Sequence, residues 1–159
     1  MIIAFDLIEP EDAQTSPMLR EERLKAIHDL VETNDFKLVK YPGCDCRVTL
    51  SVDPHGLMFH FRSRDDEELQ SLLISPRPYR KLIQDYFTMV ESYESIRAQG
   101  NLYQLEAVDM ARRAVHNEAA ELLIERLADK IEMDFDSARR LFTLICALHL
   151  GQAKQLKSS

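Results

Sequence analysis

The chain has 159 residues, of which 45% are hydrophobic and 30% charged, a size and composition that suit one domain with a substantial core. Twenty Lys and Arg stand against 27 Asp and Glu, a formal net charge of −7, which argues against duplex nucleic acid and anionic membranes as partners, since both call for a basic surplus. No apolar run approaches the ~20 residues of a membrane span, no leader pattern opens the chain, and three cysteines make no disulfide framework, so a cytoplasmic location is expected.

The opening Met1 to Ile8 is short, apolar and β-rich, and reads as a strand that stops at Glu9-Pro10. Ser16-Pro17 is a cap followed by proline at the first helical position, and Leu19, Leu24, Ile27, Leu30 and Val31 recur at helical spacing to about Glu32. Phe36 to Lys40 suits another strand, ended by Pro42-Gly43. A hairpin follows: Val48, Leu50 and Val52 alternate with polar residues, Phe59 and Phe61 do the same, and Asp53-Pro54-His55-Gly56 supplies the reversal. Leu69 to Ile74 completes the strand-rich half.

From Ser75 the period becomes helical. Pro76 and Pro78 stand at a helix start, Tyr79 to Ile96 carry its apolar series, and Gly100 ends it. Asn101 with Gln104 resembles a capping box for a long helix expected to reach about Met133. Asp134 or Asp136 then caps a last helix, Phe135 to Leu150, apolar on most sides and therefore expected at the centre of the core; Gly151 is expected to stop it, leaving 151–159 as a disordered tail. The whole reads as α+β: one domain over 1–150, a small, mostly antiparallel sheet with one helix, packed against three C-terminal helices.

Projection of the long helix at about 100° per residue places Leu105, Val108, Val115, Ala119, Leu122, Leu123 and Leu127 on one arc. Asp109, Arg112 and His116, spaced i, i+3 and i+7, fall within it or at its edge, where unpaired charge costs several kcal/mol. Two readings stay open. One is a structural ion pair with a hydrogen-bonded histidine that fixes how helices dock; the other is a pocket in which Arg112, Arg113, Arg139 and Asn117 meet an anionic ligand, with His116 as acid/base oriented by Asp109. Metals and cofactors find no support: Cys44-Asp45-Cys46 lacks a second ligand pair, the histidines are scattered, and four unclustered glycines exclude a phosphate loop.

The runs Asp85-Tyr86-Phe87, Glu91-Ser92-Tyr93, Asp109-Met110, Arg112-Arg113, His116-Asn117-Glu118 and Asp134-Phe135-Asp136 with Ala138-Arg139-Arg140-Leu141-Phe142 resemble an uncharacterised protein family of alphaproteobacteria, UPF 0262, over about residues 75–150. The chain departs from that pattern at Ala111 and Ala114, where glycines commonly flank the arginine pair. The resemblance implies no mechanism. The functional expectation is a binding or interaction module, regulatory in role, acting as a homodimer or on an unidentified protein or small anionic ligand; the alternative is a small enzyme or sensor for a phosphorylated or carboxylated metabolite held between the C-terminal helices.

Overall fold

A computed structural model describes the backbone of residues 1–8 and 17–158 and the side chains of 1–8 and 19–149. The elements run β1 (Ile2–Leu7), α1 (Pro17–Glu32), β2 (Lys37–Leu38), β3 (Cys46–Asp53), β4 (Gly56–Ser63), β5 (Glu68–Ile74), a 3-10 turn (Arg77–Tyr79), α2 (Arg80–Gln99), α3 (Leu102–Leu127), β6 (Ile131–Glu132) and α4 (Phe135–Ser158). The Glu9-Pro10 stop and the Ser16 cap lie outside the described residues.

The alternating pattern of the hairpin makes β3 and β4 antiparallel, with Val48 opposite Phe61 and Leu50 opposite Phe59. β5 continues the meander on β4. β1 adds to the other edge of β3 and runs parallel to it, Phe5 beside Val48 and Leu7 beside Leu50, so the four-stranded sheet is mixed, in the order β1-β3-β4-β5. One face buries Ile2, Phe5, Val48, Leu50, Phe59 and Phe61; the other presents Thr49, His60 and Ser71. The helices cover the apolar face. α4 packs on α1, α2 and α3 and touches β3, and its Ala138, Phe142, Leu144, Ile145 and Cys146 are all at most 1% exposed, which accounts for its apolar residues on most sides.

Several termini follow from single residues. Gly100 takes a left-handed φ of 75° and its N–H donates to the Ile96 and Arg97 carbonyls, closing α2. Asn101 accepts from the Gln104 N–H at 3.2 Å and opens α3. Asp134 caps α4 by accepting from the Ser137 N–H and hydroxyl, and it also accepts from the Asp35 N–H at 3.1 Å, tying the start of α4 to the segment after α1. Buried Asn34 makes the matching tie to the sheet: its Oδ1 accepts from Ile2 N (2.9 Å) and its Nδ2 donates to the carbonyls of Ile2 (3.0 Å) and Leu30 (2.7 Å).

Three expectations are corrected. The long helix ends at Leu127, not near Met133; Ile131 pairs with Leu38 in a small second sheet of β2 and β6. Leu127 and Ile131 keep helical spacing, but pairing with β2 overrides that local pattern. Gly151 does not end α4: helix continues to Ser158, since one glycine costs only about 1 kcal/mol among helix formers such as Gln152, Ala153 and Lys154. In α1 the buried face is Leu19, Ala26 and Leu30, while Leu24 is exposed.

Candidate functional site

Each of three helices contributes a stripe to one cleft of about 290 Å³. From α1 come Glu22, Lys25, Ala26 and Asp29, and from α4 come Asp136, Arg139, Arg140 and Thr143, both at i, i+3, i+4 and i+7, the spacing that aligns side chains on one helix face. α3 adds Arg112, Arg113 and His116. The cleft thus gathers five cationic side chains against three carboxylates in a chain whose net charge is −7. A low-dielectric wall focuses such a local excess.

The cations are not equivalent. Arg112 is committed: it donates to Glu22 and to Asp109 (2.7 Å), and Tyr86 of α2 donates its hydroxyl to the other oxygen of Glu22. Burial opposes the Arg112 charge, but the two carboxylates more than offset it and hold its pKa above the ordinary value. Burial and the Glu22 carboxylate push the Tyr86 phenol up, so it remains a donor. This network docks α1, α2 and α3 together. Arg113, largely exposed, shares Asp109 at 2.9 Å. Arg140 donates to the carbonyls of Asp29 and Thr33 at the end of α1, where a cation complements the helix dipole. Arg139 differs from all of these. Among the described residues its side chain makes no ion pair or hydrogen bond, and its Nε is buried without a partner.

His116 lies in the wall of the cleft. Its Nδ1–H donates to the Arg112 carbonyl at 2.9 Å, Nε2 lies 3.0 Å from Thr143 Oγ1, and the ring meets Tyr86 and Phe142 edge-on. Burial, joined by the positive charges of Arg112 and Arg139, holds its pKa below the ordinary 6.5. Burial does the same to His149 on α4. Both bind a proton more weakly in the folded chain than in the unfolded one, so the unfolded state gains protons first as pH falls through 6.5, and stability present above that value is lost toward acid. The thermal unfolding midpoint is expected to fall between about pH 7.5 and 5.5. His116→Gln should flatten part of that slope; an unchanged slope contradicts the burial of a neutral ring.

The structure therefore brings Asp109, Arg112, Arg113, His116 and Arg139 into one neighbourhood. Asn117 is exposed and outside the cleft lining, and both His116 nitrogens are taken by groups other than Asp109. Glu22 was missed. Its signal was position: it lies at i+3 from Leu19 and i−4 from Ala26, on the buried stripe of α1. Burial raises the thiol of Cys46 to about 11 and that of Cys146 well above its ordinary value, so neither is a ready nucleophile. Among the described residues no cluster of three His, Cys, Asp or Glu is placed to hold a metal, and no helix is long and apolar enough to cross a membrane.

Fold and site together define a small α+β domain with a cationic cleft between three helices. The chain belongs to the uncharacterised protein family UPF0262, whose profile matches residues 1–151, taking in the N-terminal half that the motif resemblance did not. It is 46% identical to a UPF0262 protein of Acidiphilium cryptum over 134 residues, 84% of this chain and 83% of that one. It is 42% identical to one of Hyphomonas neptunium (96% and 94% covered) and 42% to one of Rhodospirillum rubrum (93% and 91%). No solved structure matches.

Proposed function

We propose that this chain is a binding module for a small phosphorylated or carboxylated molecule, held in the cleft between α1, α3 and α4. The observation that carries the reading is Arg139: a guanidinium with a buried, unbonded Nε, no carboxylate partner among the described residues, and a place in the wall of a concave site. An unpaired charge in such a position costs stability unless a counter-charge arrives, and a guanidinium suits the oxygens of phosphate or carboxylate. Lys25, Arg113 and Arg140 line the same space and add to its field. Arg112, fully engaged by Glu22 and Asp109, is support for the site and not a ligand contact. The hydrogen-bonded state of both His116 nitrogens favours a binding role over acid/base catalysis.

Thermal unfolding of the full chain in sodium sulfate and with a panel of phosphorylated and carboxylated metabolites, against sodium chloride of equal ionic strength, tests the reading. A ligand at a hundredfold its dissociation constant adds about 2.7 kcal/mol, which at this size moves the midpoint by about 5–10 °C. Arg139→Ala should keep the starting midpoint within a few degrees and lose that shift. A ligand shift that Arg139→Ala leaves intact contradicts the assignment.

A separate observation supports a protein contact or homodimer as a second surface. In the first three turns of α3, Leu102, Tyr103 and Met110 are 76%, 88% and 69% exposed.

A further inference from the structure

The hydrogen bonds around His116 leave one proton free to choose. The Arg112 carbonyl can only accept, so Nδ1 carries hydrogen whatever the charge on the ring. Thr143 Oγ1 is 3.0 Å from Nε2 and also 3.3 Å from the Arg139 carbonyl, and a hydroxyl has a single hydrogen to aim. With a neutral ring, the hydroxyl donates to Nε2. With a charged ring, Nε2–H donates to Oγ1 and the hydroxyl turns to the Arg139 carbonyl. Both states are fully bonded, so protonation costs no hydrogen bond.

What decides between them is first burial, which disfavours the charged ring, and then the field around it. From α1 the Glu22 carboxylate favours the charged ring; from α3 and α4 the guanidinium groups of Arg112 and Arg139 oppose it. α2 contributes the Tyr86 phenol, whose ring centre lies 5.1 Å from that of the imidazole and whose hydroxyl is turned to Glu22, and α4 contributes the uncharged ring of Phe142. Glu22 is in turn spent on Arg112. An anion beside Arg139 would cancel the charge that opposes protonation, in the cleft His116 itself lines.

We propose that the cleft takes up its anion together with one proton from solvent, with His116 as the acceptor and the Thr143 hydroxyl turning from Nε2 to the Arg139 carbonyl as the anion binds. The inference rests on the cleft being an anion site. It adds a property to the ligand class: an oxyanion bound more tightly as pH falls, until the ligand's own protonation (at about pH 6 for a phosphate monoester) removes charge. By linkage, anion and proton strengthen each other by the same factor.

Sulfate is the probe, because it does not titrate in this range and any proton taken up belongs to the protein. The histidine ring resonances of the full chain are followed by NMR from about pH 5 to 8 in sodium sulfate and in sodium chloride of equal ionic strength. The His116 midpoint should rise by about one pH unit in sulfate, the exposed His55 and His60 should not move, and sulfate should bind about tenfold tighter at the acid end. His116→Gln should bind sulfate with an affinity independent of pH. Thr143→Val, which keeps the ring and removes the hydroxyl, should lower the midpoint in both salts and shrink the rise. Sulfate that moves the Arg113 and Arg139 signals while the His116 midpoint stays fixed overturns proton coupling and leaves the site. Sulfate that moves no cleft signal overturns the anion site, and the coupling with it.

Discussion

Arg112→Ala is expected to destabilise the chain by about 3 kcal/mol, lowering the thermal midpoint by about 6–12 °C. The mutation removes a cation that joins Glu22 of α1 to Asp109 of α3, in a site where all three side chains are about one-quarter exposed. Asp109 retains Arg113, but among the described residues Glu22 keeps only the Tyr86 hydroxyl and is left as a partly buried charge. The cost lies mainly in that stranded carboxylate. Glu22→Gln in the Arg112→Ala background should therefore recover a large part of the loss, which a simple packing defect would not. A midpoint unchanged by Arg112→Ala would remove the network from the list of things that hold α1 in place.

Gly56→Ala is expected to cost about 2–4 kcal/mol and to broaden or abolish cooperative unfolding, checked by denaturant titration. Gly56 opens β4 with φ of 153°, and a Cβ there would stand 2.5 Å from the Ile74 carbonyl oxygen and 3.2 Å from its carbon. The obstacle is backbone, which no rotamer change relieves. Relief requires β5 to move off β4 where Leu57 pairs with Ile74, so the strain reaches the last strand of the meander as well as the turn. Gly43, which has open space around its Cα, should accept the same change at little cost.

Local chemistry made much of the fold legible. Alternation around Asp53-Pro54-His55-Gly56 announced the hairpin, and Gly100-Asn101 marked the α2–α3 boundary, because turns and caps are determined by a few neighbouring residues. Pairings between distant segments left no such mark. Nothing in Met1 to Ile8 says that it lies parallel to β3, and Ile131–Glu132 is too short for a strand period to emerge from the helical spacing of Leu127 and Ile131. The site shows the same division. Asp109, Arg112 and His116 stood out on one helix by their spacing. Glu22 looked like one more acid in an acidic half, since its importance comes from Arg112, 90 residues away. Arg140 likewise closes the end of α1 through partners more than 100 residues back, which its neighbours in the chain do not reveal.

Several ties of α1 and the segment after it reach far along the chain: Asn34 to Ile2, Glu22 to Tyr86 and Arg112, Asp134 to Asp35, and Arg140 to Thr33. The β3-β4-β5 meander and the α2–α3 hairpin need none of them to form. Undocking α1 would break all of these ties together and expose Leu19, Ala26 and Leu30, so the helix is expected to exchange its amides as one unit. Because α1 supplies one wall of the cleft, a ligand that uses that wall is expected to slow amide exchange along α1.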